Sequence, residues 1–413
     1  MPLIKPFAGL RPAPGRAPDV AALPYDVVSA PEARRLVAGR PWSFLHISRP
    51  EVDLPEDTDP YAPQVYAKAR ENLARMLSSG VLVRDPAPCY YVYRLTRGKH
   101  VQTGLVAAAS VAAYDADRIR KHELTRPVKE DDRVRQIEAL DAQTGPVFLA
   151  HKSTPAIADI LADLSTPPPA VDVRAQDDVR HELWVVDDTA TIDRLSSAFD
   201  RLDDLYVADG HHRSAAASRV AAARRAADPN PTGDESYNYF LSVVFPHDQL
   251  QILDYNRVVK DLQGLDAAAF MGRFQASFRV EPSPTPVAPD QPAEFGMYLD
   301  GGWYRLTLDP QRIPHKNPVA RLDVSLLQDH LIGPVLGIRD PRRDDRIGFV
   351  GGSRGLDWLA DQVDAGDMAV AFSLYPTPME ALMAVADAGK VMPPKSTWFE
   401  PKLADGLVSH LLD

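Results

Sequence analysis

Apolar positions in this chain recur at helical spacing in some stretches and alternate in others, with turn residues between. Val65, Ala69, Leu73, Met76 and Leu77 fall on one face, so Tyr61 to Gly80 predicts a helix that Gly80 ends. Ser29, Ala30, Pro31 and Glu32 form a capping box with proline in the first turn, which opens a short helix through Val37. Cys89 to Leu95 and Val101 to Ala107 flank Arg97-Gly98-Lys99 and predict a hairpin; Phe295 to Leu299 and Trp303 to Leu308 flank Asp300-Gly301-Gly302 and predict a second. Between the hairpins, strands are expected at Leu183 to Val186, Leu205 to Ala208 and Tyr237 to Phe245, the last central. Helices are expected at Thr191 to Arg201 and from about His212 to Ala227. The last 90 residues alternate again: strand Ile347 to Val350, helix Leu356 to Val363, strand Met368 to Leu374, helix Thr377 to Ala388. Hairpins mixed with strand–helix alternation argue for an α+β or mixed α/β fold.

Proline marks the breaks. Ser165 to Pro169 reads as a loop, and Glu281 to Pro292, with five prolines, reads as a linker or long loop. We expect three regions, 1–115, 116–275 and 276–413, which can pack as one body. With 45% hydrophobic and 25% charged residues the composition is that of a globular protein. The chain has 46 Lys and Arg against 57 Asp and Glu, a net charge of −11, and this field opposes binding to nucleic acid. A single cysteine, Cys89, excludes an internal disulfide and a cysteine zinc cluster, which fits a reducing cytoplasm. No signal peptide and no long apolar run is apparent, so no membrane association is expected. The sequence leaves a homodimer open.

The candidate chemistry is concentrated in three places. In Leu205 to Ala215 an apolar strand stops at Asp209-Gly210, and a helix begins within two residues. Free N–H groups at a helix start attract anions. Gly210 lets a ligand approach the backbone, His211, His212 and Arg213 supply donors for phosphate, and Asp209 is placed to bind Mg²⁺ or orient a hydroxyl. A plain N-cap with solvated histidines is the bland alternative. The second place is Ile119 to Arg133. Ion pairs on a solvated helix face account for Glu130 to Arg133, but not for Lys121, His122 and Glu123, which precede Pro127. A His-Glu pair there suits a general base, if burial raises the carboxylate. No histidine follows at zincin spacing, since position 126 is Arg. The third, Lys390 to Lys402, lacks the glycine spacing of a P-loop; Lys395 with Ser396 and Thr397 suits phosphate binding, and a closing segment anchored by Trp398 and Phe399 suits the residues equally. Arginine outnumbers lysine 35 to 11, yet five lysines fall in the second and third windows, where a compact ammonium has a use.

Together these motifs resemble the bacterial family catalogued as domain of unknown function 1015. The resemblance runs along nearly the whole chain, through Pro24-Tyr25-Asp26-Val27, Lys121-His122-Glu123, Lys129 to Arg133, Asp209 to Arg213 and Met392 to Thr397. It implies no activity. A weaker, local resemblance is more specific about chemistry. Asp209-Gly210-His211-His212-Arg213 is similar to the phosphate-binding box of the ParB and sulfiredoxin superfamily, in particular to free-serine kinases with Asp-Gly-x-His-Arg. That resemblance implies that Gly210, His212 and Arg213 bind nucleotide phosphates of ATP or ADP, that Asp209 faces Mg²⁺ or substrate, and that Glu123 is the catalytic base. His122 and Lys121 would assist, with Thr125, Lys129 and Arg133 on the substrate. The expected function is transfer of a nucleotide phosphate to a small hydroxyl compound, free L-serine first. A ParB-like nucleotide switch and a phosphoester hydrolase are the rivals.

Overall fold

In the computed structural model, which describes residues 2–412, the apolar runs pair into mixed and antiparallel sheets with flanking helices, a mixed α/β fold. The chain forms two units. One comprises residues 1–250 and 401–413, the other Gln251–Glu400. The boundaries differ from the expected 115/116 and 275/276. A cut at 115 would divide one sheet, because strand His100–Ser110 pairs with strand Tyr239–Pro246.

The first unit is built on a large sheet. Its order is Ile119–Arg120, Leu205–Asp209, Val147–His151, Tyr239–Pro246, His100–Ser110, Tyr90–Arg97, Arg180–Val186 and Val171–Arg174. Tyr239–Pro246 is central, as expected, and buried at all eight positions. Strands covered on both faces lose the apolar–polar alternation, which is why this one reads as a continuous apolar run. Leu149, Val207, Leu105, Val92 and Phe240 lie in one core with Ile157, Leu195 and Phe199 of the helices Pro155–Leu164 and Thr189–Asp200.

Two features of this unit position the site. Leu205–Asp209 runs parallel to Ile119–Arg120, in the register Leu205↔Ile119 and Tyr206↔Arg120. Parallel neighbours leave a sheet at the same edge, so the turn after Asp209 and the segment after Arg120 emerge together. The helices that follow, Pro127–Leu140 and His211–Ala227, then pack on each other. The C-terminal tail returns to this unit through Ala22↔Asp405, Leu10↔Ser409 and His410↔Gln143.

In the second unit Phe278–Ser283, Gly302–Leu308, Glu294–Leu299, Val370–Leu374, Tyr255–Val259 and Ile347–Gly351 form an antiparallel sheet in that order. The proline-rich stretch from Glu281 is not a linker. Its start completes a strand, and Val287 is buried while its carbonyl accepts from Ser373 Oγ at 2.6 Å. Among the described residues no helix is long and apolar enough to cross a membrane.

Candidate functional site

Strand Leu205–Asp209 passes into helix His211–Ala227 through Gly210, whose φ of 99° and ψ of 27° lie in the left-handed region. The helix start carries no side-chain cap, so its first amides keep their capacity for an anion. A Cβ on Gly210 would stand 3.2 Å from Arg213 Cζ in a backbone conformation that side chains resist. Gly210→Ala is therefore expected to cost about 1–3 kcal/mol, read as a lower urea midpoint.

Arg213 turns back beneath this junction. Its guanidinium donates to the Pro146 carbonyl and lies 3.8 Å from Asp26 Oδ2 and 3.9 Å from Asp209 Oδ1. Burial works against its charge, but Asp26 and Asp209 outweigh burial and hold it protonated. Arg133 packs over the Tyr25 ring at 4.0 Å, with Asp132 Oδ2 2.6 Å from its Nη2. Both guanidiniums line one pocket with Tyr25, Thr144, Gly145 and Asp405. Asp405 is 1% exposed, and its Oδ2 has no hydrogen-bond partner among the described residues. Burial pushes its carboxyl up to about 7, against the pull of Arg213 and with Asp26 adding to the rise. Asp209 behaves in the opposite way. Burial raises it, yet Lys402, with Nζ 3.3 Å away, and Arg213 hold it below the usual carboxylate range.

Beside this pocket two imidazoles meet. His211 Nε2 lies 3.4 Å from His122 Nε2, with the ring planes at 88°. Burial pushes His122 down to about 4 and takes His211 well below its ordinary value, with His122 adding to the fall. Glu123, though exposed, brings a carboxylate oxygen within 4.8 Å of ligand atoms on both rings.

The structure thus brings the Lys121–Arg133 run to the Asp209–Arg213 turn. Glu123 is exposed, whereas Asp405 is buried. Lys121 is held by Asp117 Oδ1 at 2.6 Å and over the Tyr114 ring at 4.4 Å. His212 Nε2 accepts the Arg126 backbone N–H at 3.1 Å, so that nitrogen is occupied. Thr125 Oγ1 donates to Glu130, and Lys129 Nζ to the Tyr61 hydroxyl at 2.9 Å. Arg219 of the neighbouring helix pairs with Glu130 and Asp131, so the ion pairing of that stretch runs between helices and not at the i,i+3 and i,i+4 spacing expected within one. Lys395, Ser396 and Thr397 belong to the second unit. There the Lys395 carbonyl accepts from Arg257 at 2.9 Å and Ser396 Oγ donates to the Pro393 carbonyl at 2.6 Å, so the pocket of the first unit is built without them.

Of the residues that sequence reasoning did not assign, Tyr25 and Asp26 lie in Pro24-Tyr25-Asp26-Val27, a stretch that entered only through the family resemblance, and Lys402 lies in the lysine-rich window. Asp405 had no signal: an aspartate in Ala404-Asp405-Gly406 looks like any turn.

With this geometry in hand, the family described as "Protein of unknown function (DUF1015)" matches residues 4–325. The chain belongs to that family. No curated protein matches the sequence. Among solved structures, this family member is similar to a conserved hypothetical protein from Pyrococcus furiosus, at 13% identity and TM-score 0.33, covering 73% of this chain and 93% of that one. It is similar to a free serine kinase in complex with AMP, at 12% identity and TM-score 0.33, covering 73% and 92%. It is similar to SbnI with a C-terminal truncation from Staphylococcus aureus, at 12% identity and TM-score 0.37, covering 73% and 85%. Likenesses this low carry no argument about the chemistry of the DUF1015 chain.

Proposed function

We propose that this protein transfers a phosphoryl group from a nucleotide to a small hydroxyl compound. The observation that carries the reading is one pocket lined by two largely covered arginines, Arg133 and Arg213, and by a buried carboxyl, Asp405, which burial pushes up to about 7. Phosphoryl transfer asks mainly for charge stabilisation and positioning. Arg213, Arg133 and the amides at the start of helix His211–Ala227 would hold phosphate oxygens of ATP or ADP. Asp405 would take the proton from the acceptor hydroxyl, the role the sequence suggested for Glu123.

Charge balance makes a further demand. Arg133, Arg213 and Lys402 are already matched by Asp132, Asp26 and Asp209. A polyanionic nucleotide therefore needs added positive charge. Mg²⁺ supplies it while keeping waters and phosphate oxygens as ligands, so one or two carboxylates suffice. Asp209 and Asp26, with side chains 36% and 39% exposed on either side of Arg213, fit that requirement.

Thermal-shift measurements are expected to show ATP or ADP raising Tm with Mg²⁺ and much less with EDTA. Phosphorus NMR with nucleotide, Mg²⁺ and a mixture of amino acids and small alcohols, serine first, should then show a new phosphomonoester. Inorganic phosphate alone would make the protein a hydrolase or a switch. No nucleotide-dependent shift at all would end the phosphate-pocket reading.

A further inference from the structure

We infer that residues 124–129 form an outer wall of the nucleotide site, with Arg126 and Lys129 on the phosphates and the Leu124 and Val128 side chains against the base. Resting on the nucleotide reading above, this wall lies outside the pocket of Arg133 and Arg213. The charges of the run single out two cations. Lys121 pairs with Asp117, Glu130 and Asp131 pair with Arg219, and Asp132 pairs with Arg133. Exposed Arg126 has no carboxylate partner among the described residues. Lys129 is held by the hydroxyl and the ring of Tyr61, which leave its charge unmatched. In a chain of net charge −11, two unmatched cations three positions apart are a local exception. They also stand at the candidate site. The Arg126 backbone N–H meets His212 Nε2 at 3.1 Å, in the first turn of helix His211–Ala227. Burial holds the His212 imidazole below its ordinary value, and the charges of Arg126 and Lys129 reach the ring and add to the fall.

The apolar half is an independent observation. Leu124 and Val128 are the two most exposed large hydrophobic side chains among the described residues, at 68% and 61%, and they flank Arg126 at two positions on either side. Thr125 turns its hydroxyl to Glu130 and takes no part. Single exposed hydrophobics are ordinary, but a pair bracketing an unmatched guanidinium asks for a ligand that is apolar and anionic together. Inorganic phosphate has no apolar face, and a sugar phosphate has little. A nucleotide has a flat base joined through ribose to its phosphates. The reach agrees, because two residues of chain span at most about 7 Å, so base and phosphate contacts lie within one nucleotide of each other. The two parts divide the work in the usual way: charge-assisted bonds for phosphate oxygens, and area removed from water for the base.

Calorimetric titration of the full-length protein compares ADP with inorganic tripolyphosphate, each with Mg²⁺ at one ionic strength. Arg126→Ala and the double variant Leu124→Ser, Val128→Ser are set beside the parent. All three positions are exposed, so melting temperatures should stay within a few degrees of the parent's. Arg126→Ala is expected to weaken both ligands by roughly tenfold. The double variant should weaken ADP by roughly fivefold or more and leave tripolyphosphate unchanged, since only the nucleotide has a base to lose. An Arg126→Ala protein that binds both ligands as the parent does overturns the wall and leaves the phosphate pocket standing. So does a double variant with the parent's affinity for ADP. A parent that binds neither ligand ends the wall and the pocket together. Losses of the expected size, in a protein that makes no phosphomonoester, would end the phosphoryl-transfer reading and support the wall.

Discussion

Arg213→Ala is expected to lose nucleotide binding and to unfold more easily, the two losses arising from the same burial. The Arg213 side chain is 12% exposed and stands between Asp26 and Asp209, with Asp405 in electrostatic reach. Removing Arg213 leaves the Pro146 carbonyl without its donor and Asp26 and Asp209 without a countercharge, and because those two carboxylates are over a third exposed the cost is about 1–3 kcal/mol. Alanine alone therefore cannot separate a binding role from a structural one. Arg213→Lys can. Lysine keeps the charge that Asp26 and Asp209 need but lacks the planar fork that grips a phosphate through two parallel bonds. The expected result is a Tm within a few degrees of the parent and nucleotide affinity lower by roughly tenfold or more. Calorimetric titration with nucleotide and Mg²⁺ reads the second quantity. A lysine variant that binds as the parent does would remove Arg213 from the phosphate cradle.

Asp405→Asn is expected to reduce turnover by about 10²–10⁴-fold while sparing nucleotide affinity, because a base is needed only for transfer. The parent's rate should rise with pH through about 7, where the Asp405 carboxyl ionises, and this limb should vanish in the variant. Stability must move in the opposite sense. In the native state the carboxyl prefers its proton, so its contribution to folding is full below the ordinary carboxylate range and is lost as pH rises towards about 7. A rise from 3.8 to about 7 corresponds to a swing on the order of 4 kcal/mol. Asparagine does not ionise, so urea midpoints should show the variant gaining on the parent as pH increases. Glu123→Gln is the comparison. If Glu123→Gln loses the pH limb and Asp405→Asn keeps it, the base is where the sequence alone had suggested.

The secondary structure was largely legible because local rules govern it. The capping box at Ser29–Glu32 is made, with Ser29 Oγ accepting from the Glu32 amide. Both hairpins form where glycine-containing turns separate apolar runs, and helix His211–Ala227 begins one residue earlier than expected. Of the two readings of the stretch from Glu281, the linker fails and the long loop holds, since residues 284–293 form neither strand nor helix. Proline needs only an edge or a strand end, and Pro282 has one in Phe278–Ser283, the outermost strand of its sheet.

The sequence by itself determined that a strand would end at Asp209, that a helix would start beside Gly210, and that polar residues would gather at both motifs. Those are matters of spacing and of which residues tolerate a turn. It did not determine what each polar side chain would face. Asp405 and Lys402 reach the pocket because the C-terminal tail returns to the first unit by pairing with Ala22, Leu10 and Gln143. His122 meets His211 because two short strands run parallel in one register. Burial separates carboxylates that look alike in the sequence: it lifts Asp405 and leaves Glu123 in solvent, while Lys402 and Arg213 hold Asp209 ionised. Desolvation and charge neighbours depend on distances between residues far apart in the chain, so only the tertiary structure decides which carboxylate is buried and which is paired.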